Sequence, residues 1–244
     1  MRTADGTGLL PAHPPRKILM ALTSHTQLGD TGRTTGFHLP EAARPWKIFT
    51  DAGYVIDLVS PRGGGPPMHG ADVTDSVQMA FLDDASISEQ LANTRRPAEV
   101  TPSDYEAILF VGGHGAMWDF PGDAALARVT RDVYEGGGVV AAVSHGLAAL
   151  VDVRLSDDSH LIDGKRLTAF TNAEEEAVGL TSVVPFPLRS RLEERGGRHA
   201  AVSHFEANVV VDGSLVTGQN PASAAGVGKA TVAVLSQLSG WAAV

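Results

Sequence analysis

The chain of 244 residues contains no cysteine. That absence excludes disulfides, thiolate metal centres and a cysteine nucleophile. No apolar run comes near the ~20 residues that a membrane-crossing helix needs. Basic residues are outnumbered, 19 against 28, which leaves a formal net charge of -9 and a pI near 5.4. An acidic balance of this kind argues against nucleic acid or an anionic membrane as a partner. The opening stretch, MRTADGTGLLPAHPPRK, is interrupted by prolines and lacks the apolar segment of a secretory signal. Residues 1–16 therefore read as a flexible arm, and a cytoplasmic location is expected.

Hydrophobic residues make up 43% of the chain and glycines number 27, enough for a sizeable core with many strand-to-helix turns. Nothing divides residues 17–244, so a single domain is expected there. The clearest organising stretch is GGGVVAAVSHGLAAL, from Gly136 to Leu150. Unbroken small and branched apolar residues from Val139 to Val143 suit a strand covered on both faces. Ser144-His145-Gly146 then turns sharply into a helical run, the pattern of a nucleophile elbow with serine at its tip. The same stretch also reads as a strand and helix in which Ser144 only caps the helix.

Around this centre the sequence alternates in the manner of a parallel α/β protein. Strands are expected at Lys17 to Thr23, Tyr54 to Ser60, Ala107 to Val111, Arg166 to Phe170 and Leu215 to Thr217. Shorter strand-like pieces lie at Ala200 to Val202 and Val209 to Val211. Helices are expected from Pro40 to Ala52, within Phe81 to Asn93, and from Ala124 to Glu135 behind an Asp123 cap. Pro45 should bend the first of these or mark its start. Further helices are expected from Ala173 to Ala177, capped by Asn172, from Pro187 to Glu194, and from Ala222 to Leu238. The fold class is thus α/β, a mainly parallel central sheet between helical layers.

Four loops leave strand carboxyl ends, where open parallel sheets keep their ligand crevices. They run from Ser24 to Glu41, Gly112 to Trp118, Ser144 to Gly146 and Thr171 to Glu175. The crevice then gathers Ser144, His145, His114, Glu41 and one of Glu174 or Glu175. Gly112, Gly113 and Gly115 leave backbone N–H groups free to face developing negative charge. Each residue also has a structural reading. Neighbouring side chains at a turn diverge, so His145 is equally a turn-holding group, His114 a turn cap, and Glu41 and Glu175 partners of helix dipoles. The other histidines, notably His25, His38, His69 and His160, show no ligand spacing, so no metal is expected. The GG-H-G loop lacks the lysine of a phosphate loop.

Together, LPEAARPW at 39–46, VGGHGAMWDFP at 111–121, GGGVVAAVSHG at 136–146, LTAFTNAEEEAVGL at 167–180 and VTGQNPASA at 216–224 resemble the ThiJ/PfpI superfamily. This superfamily shares a flavodoxin-like three-layer fold with class I glutamine amidotransferases, and the closest resemblance is to its chaperone-like glyoxalase III branch. The resemblance implies cofactor-independent conversion of methylglyoxal or a related small carbonyl compound to a 2-hydroxy acid, and a homodimer. It places the branch's nucleophile at Ser144, its histidine at His145, its acid at Glu175 with Glu174 as neighbour, and its second carboxylate at Glu41. Gly113, His114, Gly115, Trp118, Leu147 and His204 fall in the implied pocket.

This chain departs from the pattern at the reacting atom, because the branch carries cysteine where Ser144 stands. A thiol ionises near pH 8.5, whereas a hydroxyl needs a well-placed base. Leu147 stands where proline is common, and His204-Phe205 where relatives often have tryptophan. Three functions follow. One is a glyoxalase III-like enzyme weakened or silenced by serine. Another is a hydratase, hydrolase or cyclase acting on a larger carbonyl metabolite through Glu41 and His145. The third is a binding or chaperone-like protein.

Overall fold

A computed structural model describes residues 15–240, so most of the expected arm lies outside the described residues. In chain order the elements are β1 (Lys17–Ala21), β2 (Phe37–His38), α1 (Leu39–Asp51), β3 (Val55–Val59), β4 (Met68–His69), α2 (Ser76–Asp83) and α3 (Ala85–Ala92). Then follow β5 (Ala107–Phe110), α4 (Ala116–Asp119), α5 (Ala124–Glu135), β6 (Val139–Val143) and β7 (Arg166–Leu167). The chain continues through α6 (Asn172–Ala177), α7 (Leu188–Glu194), β8 (Arg198–His199), β9 (Val209–Asp212), β10 (Leu215–Gly218) and α8 (Ala224–Leu238).

Six strands form the central sheet in the order β3-β1-β5-β6-β10-β9. All neighbours pair in parallel except β10 and β9, which are antiparallel across the Asp212-Gly213 turn. Successive side chains of a strand face opposite ways, and here both faces are covered. From β1, Ile18 and Met20 join Trp46 and Phe49 of α1 and Val234 of α8. Leu19 and Ala21 join Leu126, Val129 and Val133 of α5 on the other side. The same alternation runs along β6, with Val139, Ala141 and Val143 on one side and Val140 and Ala142 on the other. This is the flavodoxin-like three-layer sandwich. Among the described residues, no helix is long and apolar enough to cross a membrane.

Several local expectations give way. Pro45 neither starts nor ends α1 but lies inside it, with Pro40 at the helix opening. Helical structure around Phe81 begins at Ser76 and divides in two, with the carboxylates of Asp75 and Asp84 capping the halves. The strand at Arg166 stops after Leu167, and its partner is Arg198–His199. Residues 200–202 form no strand because they leave this pair as an exposed loop. Thr171, not Asn172, caps α6: its Oγ1 accepts from the Glu174 N–H at 3.0 Å, while Glu174 Oε2 accepts from the Thr171 N–H at 2.9 Å. Such reciprocal bonding satisfies two otherwise orphaned donors.

Behind the elbow, Gly146 backs onto β5. A Cβ there would lie 2.3 Å from the Phe110 carbonyl oxygen, so only glycine lets the turn close against the sheet. Gly146→Ala is expected to destabilise the protein by about 2 kcal/mol, as overpacking of a rigid core does. The fall in Tm on calorimetry is then about 4 °C or more.

Candidate active site

Parallel pairing brings the ends of β1, β5 and β6 to one edge of the sheet, and the loops leaving them converge there. Ser144 follows the last residue of β6 with φ +55°, a left-handed conformation unfavourable to a residue with a Cβ. The chain accepts this strain where it swings from strand into the short 3-10 helix Ser144–Leu150. Ser144 is buried, and its Oγ lies 3.3 Å from His145 Nδ1. The two adjacent side chains thus converge.

The other nitrogen of His145, Nε2, lies 2.8 Å from Glu175 Oε2. His114 Nε2 lies 2.8 Å from Glu175 Oε1, so one carboxylate serves two imidazoles. Burial pushes the Glu175 carboxyl up, yet the hydrogen bonds from His114 and His145 bring it down to about 2. Burial, helped by the neighbouring His114, brings His145 down to about 4 against the pull of Glu175. At neutral pH the site therefore holds an ionised carboxylate beside a neutral His145. A carboxylate only accepts hydrogen bonds, so His145 donates from Nε2 and keeps a bare lone pair on Nδ1. That lone pair faces the Ser144 hydroxyl. The constellation is a serine with a general base, and the base is oriented by an acid.

Glu41, near the start of α1, is buried on the same edge. Its Oε1 is 3.1 Å from His38 Nδ1, while its Oε2 has no hydrogen-bond partner among the described residues. Gly112 makes room for that oxygen. A Cβ at Gly112 would lie 2.1 Å from Glu41 Oε2 and 2.7 Å from the carbonyl oxygen of Val143, the residue before the elbow. Burial raises the Glu41 carboxyl above the usual range, opposed by its hydrogen bond to His38 and more weakly by the nearby but poorly aligned Gly112 N–H. A desolvated carboxylate with a vacant oxygen is a much stronger base than one in water.

The site opens into a cavity of about 170 Å³. Ser144, His145, Glu41, Gly113 and His114 all line it. Gly113, at φ +120°, is the glycine of this loop that lines the cavity, where its backbone N–H is the candidate donor to an oxyanion. Glu175 stands behind the two histidines. Glu174 turns away, accepting from Asn220 Nδ2 and the Phe205 N–H as well as from Thr171. Four residues of the expected pocket do not line the cavity. Trp118 stacks on His25 with ring centroids 5.0 Å apart. Gly115 abuts Thr23 and His25, Leu147 belongs to the core, and His204 is exposed beside Phe205.

In their place stand His38, His69, Phe170, Val178, Phe205 and Pro221. His38 and His69 are register partners in the two-residue parallel ladder of β2 and β4, with ring centroids 5.1 Å apart. Strands that short carry no readable periodicity. The three-residue separation of His38 from Glu41 was the available signal, since it places both side chains at one end of α1.

Among the described residues, His114, His145 and Glu175 form the one set with metal-ligand atoms close together, all within 4.8 Å. They come from three separate segments, which is why no ligand spacing marks them in the sequence. Both imidazole Nε2 atoms face the carboxylate as hydrogen-bond donors, and a metal there would have to displace those protons.

The fold and elbow define a class, the α/β proteins that present a nucleophile above a parallel sheet. Within that class the chain belongs to the DJ-1/PfpI family, whose model matches residues 33–233. It is 32% identical over 228 residues to the glutathione-independent glyoxalase HSP31 of Saccharomyces cerevisiae, across 86% of this chain and 94% of that protein. The structure of the Rapid Encystment Protein of 24 kDa from Francisella tularensis superposes with a TM-score of 0.87 at 36% identity, covering 90% of this chain and 99% of that one. Glyoxalase III of Candida albicans superposes with a TM-score of 0.83 at 28% identity, covering 90% and 97%.

The charges of this network link stability to pH. Glu175 has a depressed folded pKa, so its contribution is present above the ordinary glutamate range and is lost as pH falls towards about 2. His145, held neutral down to about 4, adds a loss beginning as pH drops below the ordinary histidine range near 6.5. Both act in one direction and together outweigh the opposite contribution of the raised Glu41 carboxyl, so the urea midpoint is expected to fall from pH 7 to pH 3. Glu175→Gln should lower the midpoint at pH 7 and flatten that slope.

Proposed function

We propose that the protein is a glutathione-independent glyoxalase of the glyoxalase III type, converting methylglyoxal or a related small 2-oxoaldehyde to the 2-hydroxy acid with water as co-reactant. The observation that carries this reading is the vacant, buried Oε2 of Glu41 beside the elbow, in a cavity shared with Ser144 and His145. A hydrolytic triad alone has no use for a second desolvated carboxylate. An internal redox isomerisation needs one, because a proton must leave one carbon and arrive at its neighbour. The relatives named for glyoxalase activity support the same reading.

The geometry supports the following steps. The Ser144 hydroxyl gives its proton to His145 Nδ1 as Oγ bonds to the aldehyde carbon, and the oxyanion that forms faces the Gly113 N–H. Protonation of the oxyanion yields a hemiacetal. Its C–H, now adjacent to the ketone, is acidic: Glu41 removes that proton, the former ketone oxygen takes up the proton of the hemiacetal hydroxyl, and an enediolate is left. Returning a proton to the second carbon produces a 2-hydroxyacyl ester on Ser144. Water, deprotonated by His145, hydrolyses the ester, releases the acid and restores the hydroxyl. Methylglyoxal and water become lactate, with no external oxidant or reductant.

Lactate formation by purified protein tests this, beside Ser144→Ala, Ser144→Cys and Glu41→Gln. The unsubstituted protein is expected to form lactate, with a loss of about 10²-fold or more in Glu41→Gln and Ser144→Ala. Ser144→Cys should raise the rate by about tenfold or more, because the thiolate attacks without full reliance on His145. Undiminished lactate from Ser144→Ala would remove the serine from the chemistry. No lactate from either the unsubstituted protein or Ser144→Cys would overturn the reading.

A further inference from the structure

Phe205 sits at the cavity mouth in an unusual state. Its φ is +60°, a left-handed backbone that is an outlier for a bulky residue, and 49% of its surface is exposed. The surrounding loop is itself exposed, so packing does not impose the conformation. What holds it is the Phe205 N–H, which donates to Glu174 Oε1 at 2.8 Å. The ring reaches towards Phe170, with centroids 6.3 Å apart, and both rings line the cavity. Val178, 43% exposed, and Pro221 complete an apolar wall. Large apolar side chains kept exposed at a cavity rim mark a binding surface, and strain at such a site points to use.

The cavity is divided by chemistry. In the proposed reaction Ser144, His145, Glu41 and Gly113 would face the two carbonyl carbons, and none of them offers an apolar surface for what those carbons carry. We propose that Phe205, with Phe170 and Val178, binds the substituent on the ketone carbon, and that the site prefers 2-oxoaldehydes with a branched aliphatic or aromatic substituent over methylglyoxal. This rests on the glyoxalase reading and names its substrate class. A methyl group leaves the Phe205 ring uncovered, whereas a phenyl or isopropyl group takes apolar surface out of water on both partners. The backbone bond from Phe205 to Glu174 joins this wall to α6, which carries Glu175, so substituent contact and acid are held by one helix start.

The test compares kcat/KM for phenylglyoxal and methylglyoxal in the unsubstituted protein and in Phe205→Asn. Asparagine tolerates the left-handed conformation and keeps the N–H for Glu174, but it removes the apolar ring. Phenylglyoxal is expected to be favoured by about tenfold or more, since even one methylene in an apolar pocket is worth about tenfold. In Phe205→Asn that ratio should fall about fivefold or more, with Tm unchanged or raised. A ratio near one in the unsubstituted protein, or a ratio unmoved by the substitution, overturns the proposal.

Calorimetric binding of the product acids separates this from the reaction itself. Mandelate should bind about tenfold more tightly than lactate and lose that advantage in Phe205→Asn, whether or not turnover occurs. Equal affinities overturn the substituent site. Tight mandelate binding without conversion of either aldehyde, even by Ser144→Cys, leaves the substituent site standing and overturns the glyoxalase reading.

Discussion

Glu175 carries a negative charge into a place that is 94% shielded from water and keeps it there by accepting from two imidazoles at once. Much of the site depends on that arrangement. It fixes the tautomer of His145, which leaves Nδ1 as the base for Ser144, and it draws His114 to within 4.0 Å of His145, ring centroid to centroid. A charge so placed is costly unless its oxygens accept hydrogen bonds. Here each oxygen accepts from one histidine, and the adjacent Glu174 accepts in turn from Thr171, Asn220 and the Phe205 N–H. Two neighbouring carboxylates at one helix start thus divide the work, Glu175 facing the chemistry and Glu174 the scaffold.

Serine at the elbow makes this base indispensable. A thiol of ordinary pKa already has a thiolate fraction at neutral pH, and nearby cations enlarge it. A hydroxyl has none, so every addition step must route its proton through His145 Nδ1. Neutral His145 suits that role better than an imidazolium would. Burial, which holds it neutral down to about 4, therefore favours a serine nucleophile here. Glu41 follows parallel logic: its desolvation, unfavourable for folding, raises its basicity, which is what the proposed removal of a carbon-bound proton requires.

The parts of the fold legible in the sequence are those where one physical signal dominates. Continuous apolar runs marked β1, β5 and β6, and the Ser-His-Gly turn marked the elbow, because buried strands and tight turns each restrict residue type strongly. The choice between Glu174 and Glu175 was not legible. Both begin a helix, and only the direction of each side chain, set by the Thr171 cap, tells them apart. Trp118 and Leu147, placed in the pocket by resemblance, do not line the cavity, because a matching motif does not fix which way a side chain points. Each turned into packing, one against His25 and the other into the core. His38 and His69 show no ligand spacing and were not placed in the pocket, because the ladder joining them is only two residues long.

Strain marks the functional edge more sharply than any motif. Among the described residues, three that are not glycine adopt positive φ: Ser144, Asp158 and Phe205. Aspartate accepts this conformation readily in turns, which leaves serine and phenylalanine as the two unfavourable cases. Both line the same cavity, one at its floor and one at its mouth. Each is held by a side chain from the same region, Ser144 by His145 and, through it, Glu175, and Phe205 by Glu174. The helix start that anchors the base therefore also anchors the rim. Loss of Glu174 would free Phe205 to relax and loosen the cap that aims Glu175, so substrate selection and base orientation would fail together.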